Sequence, residues 1–339
     1  MDRKRIFITG TAGFIGFHLA DLLLGRGHQV AGYDGLTDYY DISLKQQRHA
    51  LLKKHDGFSF TEAMLEDETK LQDVVSSFQP DVIVHLAAQA GVRYSIDNPR
   101  AYLDSNIIGT FNVMEAARAA GVSHLLMAST SSVYGANTQM PFTETERVVT
   151  PLTFYAASKL ANEAMGHSYA HIYNLPTTMF RFFTVYGPWG RPDMAYFKFA
   201  RNIIEGKPID IYNNGEMWRD FTYVDDLVCG IAGLIDAVPK RSERSEEVPS
   251  GDSLSPVAPF RVVNVGNSEK VCLLDFIEAI EDEIGTKAIR DYMPMQQGDV
   301  PATWADASLL QRLTGFKPHT SVRCGVKKFV RWYREYYSC

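Results

Sequence analysis

Gly10-Thr11-Ala12-Gly13-Phe14-Ile15-Gly16 is the stretch whose reading decides the fold. It follows the apolar run Ile6 to Thr9, which reads as a strand, and opens a helix whose apolar face continues through Leu19, Leu22 and Leu23. Glycines at such a corner let the backbone turn sharply and approach a pyrophosphate, while the helix N-terminus offers free N–H groups and the positive end of its dipole. The spacing is GxxGxxG, one residue different from the commoner GxGxxG, and a structural tight turn explains glycines alone equally well. Asp34 adds the second half of the pattern. It ends the next strand, 21 residues after Gly13, where a carboxylate can accept hydrogen bonds from ribose hydroxyls and repel a 2′-phosphate. The predicted ligand is therefore NAD rather than NADP. The expected lining is Gly10, Gly13, Phe14, Ile15, Gly16 and Asp34, joined by Leu65, Leu86 and Ala87 beyond the ends of later strands.

Outward from this corner, short apolar runs alternate with helical patterns. Ile6 to Thr9, Gln29 to Tyr33, Phe58 to Thr61, Asp81 to Leu86, His124 to Ser129 and Thr177 to Phe183 read as strands. Continuous apolar runs such as Val82-Ile83-Val84-His85-Leu86 suit strands buried on both faces. The expected class is α/β, a Rossmann-type doubly wound parallel sheet with a smaller, discontinuous α/β substrate domain. The boundaries expected are 1–186 for the dinucleotide domain with a returning segment near 261–284, and 187–260 with 285–339 for the substrate domain. Lys240 to Pro259, rich in Ser, Pro and charge, reads as an exposed mobile loop without a catalytic role.

The bulk numbers narrow the class. A chain of 339 residues with 45% hydrophobic and 22% charged residues can bury a sizeable core. A net charge of −6 argues against a nucleic-acid partner. The four cysteines form neither a CxxC pair nor a zinc pattern, so reduced, mostly buried thiols and no metal are expected. The run Ile6-Phe7-Ile8 stops at Thr9-Gly10, too short for an export signal, and no apolar stretch reaches the ~20 residues of a membrane span. A cytoplasmic protein without a membrane partner is expected.

The chemistry is carried by Tyr155-Ala156-Ala157-Ser158-Lys159, which puts a phenol and an ammonium at i and i+4 on one helix face. A phenol of ordinary pKa near ~10 is a poor base at neutral pH, and nearby positive charge from Lys159 and an oxidised nicotinamide favours the phenolate. Tyr155 can then take a hydroxyl proton as hydride leaves the same carbon. Ser129 to Ser132 end a parallel strand, where ligands bind in open α/β sheets, and Thr130 is the expected hydrogen-bond partner of the reacting oxygen. The same hydroxyls also suit capping of the following segment.

At this point the chain closely resembles the extended short-chain dehydrogenases, through GTAGFIG at Gly10 to Gly16, HLAAQAGVR at His85 to Arg93, STSSVYG at Ser129 to Gly135, YAASK at Tyr155 to Lys159, RFFTVYGPWGRPDM at Arg181 to Met194 and RDFTYVDD at Arg219 to Asp226. The resemblance covers nearly the whole chain. It implies NAD held through turnover, a UDP-sugar in the smaller domain, Asn106 lining the cofactor site, Arg219 on the diphosphate, Tyr212 in a uridine-binding strand, and a homodimer. Within the group, 4,6-dehydratases carry an Asp-Glu pair and UDP-glucuronate decarboxylases a Glu where this chain has Ser131-Ser132. UDP-galactose 4-epimerases usually have Asn where Thr184 stands, and PWGRPDM looks like the UDP-glucuronic acid 4-epimerases. That subgroup implies reversible C4 epimerisation through a 4-keto sugar with transient NADH. Arg93 and Arg191 suit its carboxylate or phosphates, since a guanidinium fork matches either anion. The rivals are a decarboxylase, a 4-epimerase of UDP-galactose or UDP-N-acetylhexosamine, and an NAD-sensing regulator without catalysis. Two departures stand out: Met64 replaces an aspartate that relatives often place near the adenine, and Gln296 stands where galactose epimerases have arginine.

Other conspicuous residues read as structural. Trp332, Tyr333, Tyr336 and Tyr337 suit packing of a terminal helix, and His167 with His171 a solvated helix face. One prediction follows from Asp34. Asp34→Ala should weaken NAD binding and leave the fold intact, because it removes charge-assisted hydrogen bonds at an exposed strand end. Titration of both dinucleotides checks it, and equal affinity of the natural protein for NAD and NADP contradicts the role of Asp34.

Overall fold

The computed structural model describes residues 3–241 and 248–339. In the first half, strands β1 (Arg5–Thr9), β2 (Gln29–Asp34), β3 (Phe58–Glu62), β4 (Val82–His85), β5 (His124–Thr130) and β6 (Thr177–Phe182) alternate with helices. These are α1 (Phe14–Gly25), α2 (Ile42–Leu52), α3 (Glu68–Phe78), the short α4 (Tyr94–Asp97) and α5 (Pro99–Tyr102), α6 (Gly109–Ala120) and α7 (Phe154–Tyr173). The second half contributes β7 (Thr184–Tyr186), α8 (Ala195–Ile204), β8 (Pro208–Tyr212), β9 (Trp218–Arg219), β10 (Phe221–Tyr223), α9 (Val224–Asp236) and β11 (Phe260–Val265). It continues with β12 (Val271–Cys272), α10 (Leu273–Ile284), β13 (Ile289–Met293), β14 (Ala302–Thr303), α11 (Ser308–Thr314) and α12 (Val322–Tyr337).

The main sheet has seven strands in the order β11-β6-β5-β4-β1-β2-β3, and every pairing is parallel. Its order reverses at β1, which lies between β4 and β2, so the strand ends there open a crevice of the kind where open α/β sheets bind ligands. The expected strands and the doubly wound class agree with this sheet to within a residue or two at most ends. Crossover helices cover both faces. One layer packs α1, α9 and α11 residues such as Leu19, Leu23, Leu227, Ile231 and Leu310 on the sheet, and the other packs α3, α6 and α7 residues such as Leu71, Val113, Ala117 and Ala170.

A third cluster joins Phe197, Phe199 and Ile203 of α8, Ile209 and Ile211 of β8, Phe276, Ile277 and Ile280 of α10, and Phe329, Val330 and Tyr333 of α12. The partition thus differs from the expected boundaries in three helices. Helices α9 and α11 cover the main sheet although 187–260 and 285–339 were expected to form the substrate domain. Helix α10, expected to return with β11, packs on α8 and α12 instead. Each has an apolar face, and that face does not encode which neighbour covers it.

Three other expectations change. Residues 242–247 of the expected loop lie outside the described set. The segment after them is anchored: Asp252 accepts from Nε and Nη2 of Arg261 at 2.9 and 3.2 Å, with both side chains about nine-tenths buried. His167 and His171 do not form a purely solvated face, because they pair with Ser255 Oγ and the Val257 carbonyl, each at 2.8 Å. All four cysteines are unpaired, but Cys324 and Cys339 are exposed and Cys229 and Cys272 only partly buried. Helix α12 packs as expected, with Trp332 and Tyr336 against Trp189.

Under the ends of β5 and β6 lies a buried ion pair. Arg181 donates Nε and Nη2 to Glu163 at 2.9 and 2.7 Å, and Ser129 Oγ donates to the same carboxylate at 2.5 Å. Removing one partner strands a buried charge. Glu163→Ala should therefore destabilise the protein by about 3–5 kcal/mol, read from the denaturant midpoint. A loss within experimental error contradicts the assigned burial of the pair.

Candidate active site

One cleft of about 1190 Å³ runs along the C-terminal ends of the sheet strands. It exceeds the ~300–1,000 Å³ usual for a small ligand. Nearly all the residues singled out in the sequence line it: Gly10, Gly13, Phe14, Ile15, Gly16, Asp34, Leu65, Leu86 and Ala87 at one end, and Arg93, Thr130, Ser131, Ser132, Tyr155, Lys159, Thr184, Arg191, Tyr212 and Arg219 towards the other. Asn106 is the exception. It is fully buried, and its amide clamps Gln89 in both directions, accepting from Gln89 N at 2.8 Å and donating to Gln89 O at 3.0 Å, with a further bond to Ser158 Oγ at 3.1 Å. Its part is to hold the loop after β4.

The glycine corner has the shape a dinucleotide needs. Gly10 has φ 83°, in the region that favours glycine, and a Cβ there would lie 2.8 Å from Ala87 N. A Cβ on Gly16 would lie 2.0 Å from Gly10 O. The Asp34 carboxylate accepts from Ala12 N at 3.0 Å and Leu36 N at 2.9 Å, which leaves acceptor capacity on both oxygens for hydroxyls. Beneath the corner, Thr9 Oγ1 accepts from Leu86 N and Ala87 N, both at 3.1 Å, and meets His85 Nδ1 at 2.8 Å. Burial, then the charge of Lys159, pushes the His85 pKa down to about 3, so this imidazole is neutral and structural.

Tyr155 opens α7, whose N-terminus is capped by Thr153 Oγ1 accepting from Ala156 N at 3.2 Å. Burial pushes its phenol above the ordinary value, while the Thr130 hydroxyl and the charge of Arg191 act in the opposite sense. Arg191 was not foreseen as a cation acting on Tyr155. Lys159 Nζ, one helical turn on, donates to the Ala128 carbonyl at 3.0 Å. Thr130 also caps the short turn Ser131–Tyr134, its Oγ1 accepting from Ser132 N at 3.2 Å.

The cleft arginines are already engaged. Arg191 donates Nε and Nη2 to Asp193 at 3.0 and 2.6 Å, the fork expected to meet a substrate anion. Burial opposes both charges, but their attraction outweighs it, holding Asp193 below and Arg191 above their usual ranges. Arg219 spends its donors on Asp299 and on the carbonyls of Trp218, Val300 and Pro301. Arg93 lies 4.9 Å over the Tyr212 ring. A ligand anion here shares or displaces internal partners. Residues not foreseen include Asp193, Tyr39, Lys45 and Gln89, which line the same cleft. Tyr39 Oη reaches Asp193 Oδ2 at 3.4 Å, and Lys45 caps the Thr37 carbonyl. One signal was available: Leu44, Lys45, Arg48, His49 and Leu52 form the buried stripe of α2, so cations occupy apolar-face positions.

Lys159 gives a prediction with a defined sign. Burial lowers its pKa from 10.5 to about 8. Between those values the unfolded chain binds a proton that the folded one does not, so this group makes stability rise with pH across the window, and its penalty is complete below it. Lys159→Met has no such penalty. The stability difference, variant minus wild type, should therefore fall by roughly 3 kcal/mol from pH 7.5 to pH 10.5 in denaturant titrations. A flat difference contradicts the burial cost assigned to Lys159.

Comparison with known proteins agrees with this geometry. Residues 6–245 match the model of the NAD dependent epimerase/dehydratase family. The chain is 55% identical over 333 residues to a probable UDP-glucuronate 4-epimerase of Rhizobium meliloti (strain 1021), covering 98% of each. The fold superposes on UDP-glucuronic acid 4-epimerase from Bacillus cereus in complex with UDP-glucuronic acid and NAD, with a TM-score of 0.87, 30% identity and coverage of 98% of this chain and 100% of that one. It also superposes on UDP-glucose 4-epimerase from Thermotoga maritima with UDP-glucose, with a TM-score of 0.84, 27% identity and coverage of 98% and 99%. With a match over most of its length and 55% identity to a relative covered almost end to end, the chain belongs to the NAD dependent epimerase/dehydratase family.

Proposed function

We propose that this chain interconverts UDP-glucuronic acid and UDP-galacturonic acid by epimerisation at C4. The observation that carries the reading is the single cleft in which the glycine corner and Asp34 meet Tyr155, Thr130 and the Arg191 loop. Gly10, Gly13, Gly16 and Asp34 would hold NAD by its pyrophosphate and adenosine ribose, with Phe14, Ile15, Leu65, Leu86 and Ala87 along it. When bound, NAD would supply the acceptor and donor for the C4 hydride.

The chain's residues supply the rest. Tyr155 Oη takes the C4 hydroxyl proton and gives it back, and Thr130 holds the oxygen involved. Lys159, one helical turn from Tyr155, and Arg191, whose charge also acts on the phenol, favour its ionised form. Removing the proton and hydride leaves a 4-keto sugar, which turns before hydride returns to its other face, so no net oxidation results. Ser131, Ser132 and Thr184 offer short hydroxyl side chains beside the sugar. Arg219 and Arg93 suit the diphosphate, and Tyr212 the uridine. Residues of α8 and α10, such as Phe199 and Phe276, line this half of the cleft.

A homodimer and a cytoplasmic location complete the proposal. Exposed Leu103, Ile108 and Phe111 lie at and before α6, and exposed Leu152, Phe154 and Tyr173 lie at the ends of α7. Apolar surface of this kind supports pairing with a second copy. Four unpaired cysteines support a reducing compartment.

The 4-ketone lies β to the C6 carboxylate, so the intermediate readily loses carbon dioxide when the C5–C6 bond aligns with the carbonyl π system. Thr184 and Arg191 are proposed to hold the carboxylate out of that alignment, with Asp193 giving up part of the Arg191 fork. The test resolves products from UDP-glucuronic acid. Wild-type protein should give UDP-galacturonic acid, and Tyr155→Phe should lose about 10²–10⁴-fold in turnover. Thr184→Ala or Arg191→Ala should raise the pentose share. Mainly UDP-xylose from the wild type refutes the epimerase reading.

A further inference from the structure

Arg48 of α2 is fully buried, and its guanidinium joins two loops whose next residues, Gly13 and Arg191, line the cleft. Nη1 donates to the Ala12 carbonyl at 2.9 Å, inside the glycine corner, and to Tyr40 Oη at 2.8 Å. Nη2 donates to the carbonyls of Trp189 and Gly190 at 2.6 and 3.1 Å. Among the described residues its buried Nε has no partner, and none of the four bonds goes to a carboxylate. A buried cation without an acidic partner is costly, and a neutral donor can satisfy any one of these carbonyls. What a neutral side chain of this size lacks is a rigid fork that spans both loops with charge.

The far loop is fixed from several directions. The preceding carbonyl, Pro188, receives a bond from His18 Nε2 on α1 at 2.9 Å, so three consecutive carbonyls are held by side chains from the two helices that flank the glycine corner. Trp189 stands at φ 57° with its ring against Phe17, Trp332 and Tyr336. At Gly190 a Cβ would lie 1.9 Å from Tyr196 Oη. The next residue is Arg191, whose fork on Asp193 matches a phosphate as well as a carboxylate, so the terminal phosphate of UDP can engage it where no sugar carboxylate is present.

We infer that Arg48 is a positioning residue that ties the glycine corner to the loop presenting Arg191, so that a diphosphate ligand bound on either side strengthens binding on the other. This rests on the proposed function for the identity of the two ligands. Coupling between sites is reciprocal in free energy, so it can be read from either ligand. It is carried here by Ala12, Arg48 and residues 189–191, without contact between the ligands.

The experiment measures exchange of bound NAD for a fluorescent NAD analogue, with and without UDP. UDP has no sugar and so cannot touch a nicotinamide. UDP should slow exchange about tenfold in wild-type protein, and the protection should drop to within about twofold in Arg48→Lys and Arg48→Gln. Each variant keeps a donor that reaches one loop but not both, so either one, once folded, decides the matter. A merely structural Arg48 lowers the melting temperature and leaves the protection ratio unchanged. Undiminished protection in a folded variant, or no protection in the wild type, overturns the inference. Failure of the wild type to convert UDP-glucuronic acid removes the proposed function instead, because the exchange readout uses no sugar.

Discussion

No side chain fits at Gly16, because its Cβ would stand 2.0 Å from the carbonyl oxygen of Gly10. That contact brings the start of α1 hard against the end of β1, and Gly10 in turn meets the backbone of Ala87 beyond β4. The corner is also the point where the strand order of the sheet reverses. The crevice, the free N–H groups of the helix terminus and the reach of Asp34 into it all follow from this one close approach. Thr9 and a neutral His85 lock it from below with hydrogen bonds.

Across the cleft the problem is the opposite one, since cations must be available to an anionic ligand without being stranded in a buried site. The structure meets it with internal partners: Asp193 on Arg191, Asp299 and three carbonyls on Arg219, the Tyr212 ring under Arg93. Each arginine is thereby oriented before a ligand arrives, and each bond is one that a phosphate or carboxylate can share. Lys159 is set differently. Buried with a carbonyl as its partner, it stays close to the point of losing its proton.

The two halves of the cleft are not built from two successive halves of the chain. Helices α9 and α11 run back to cover the main sheet, while α10 leaves β11 to join α8 and α12. The interleaving places the Arg191 loop under the control of helices α1 and α2, through His18 and Arg48.

The strands of the sheet, the glycine corner, Asp34 and the Tyr155-Lys159 pair are legible in the amino-acid order alone. Strands buried on both faces are written as unbroken apolar runs, and an i, i+4 pair shares a helix face whatever surrounds it. That Asn106 turns inward to Gln89, that the charge of Arg191 reaches the phenol, and that Arg48 spans two loops emerge only once the chain is folded. Those facts depend on distance and burial between segments far apart in the chain. A helical period shows that a face is covered but not by what, and a charged residue in that stripe has no visible partner until the chain has closed around it.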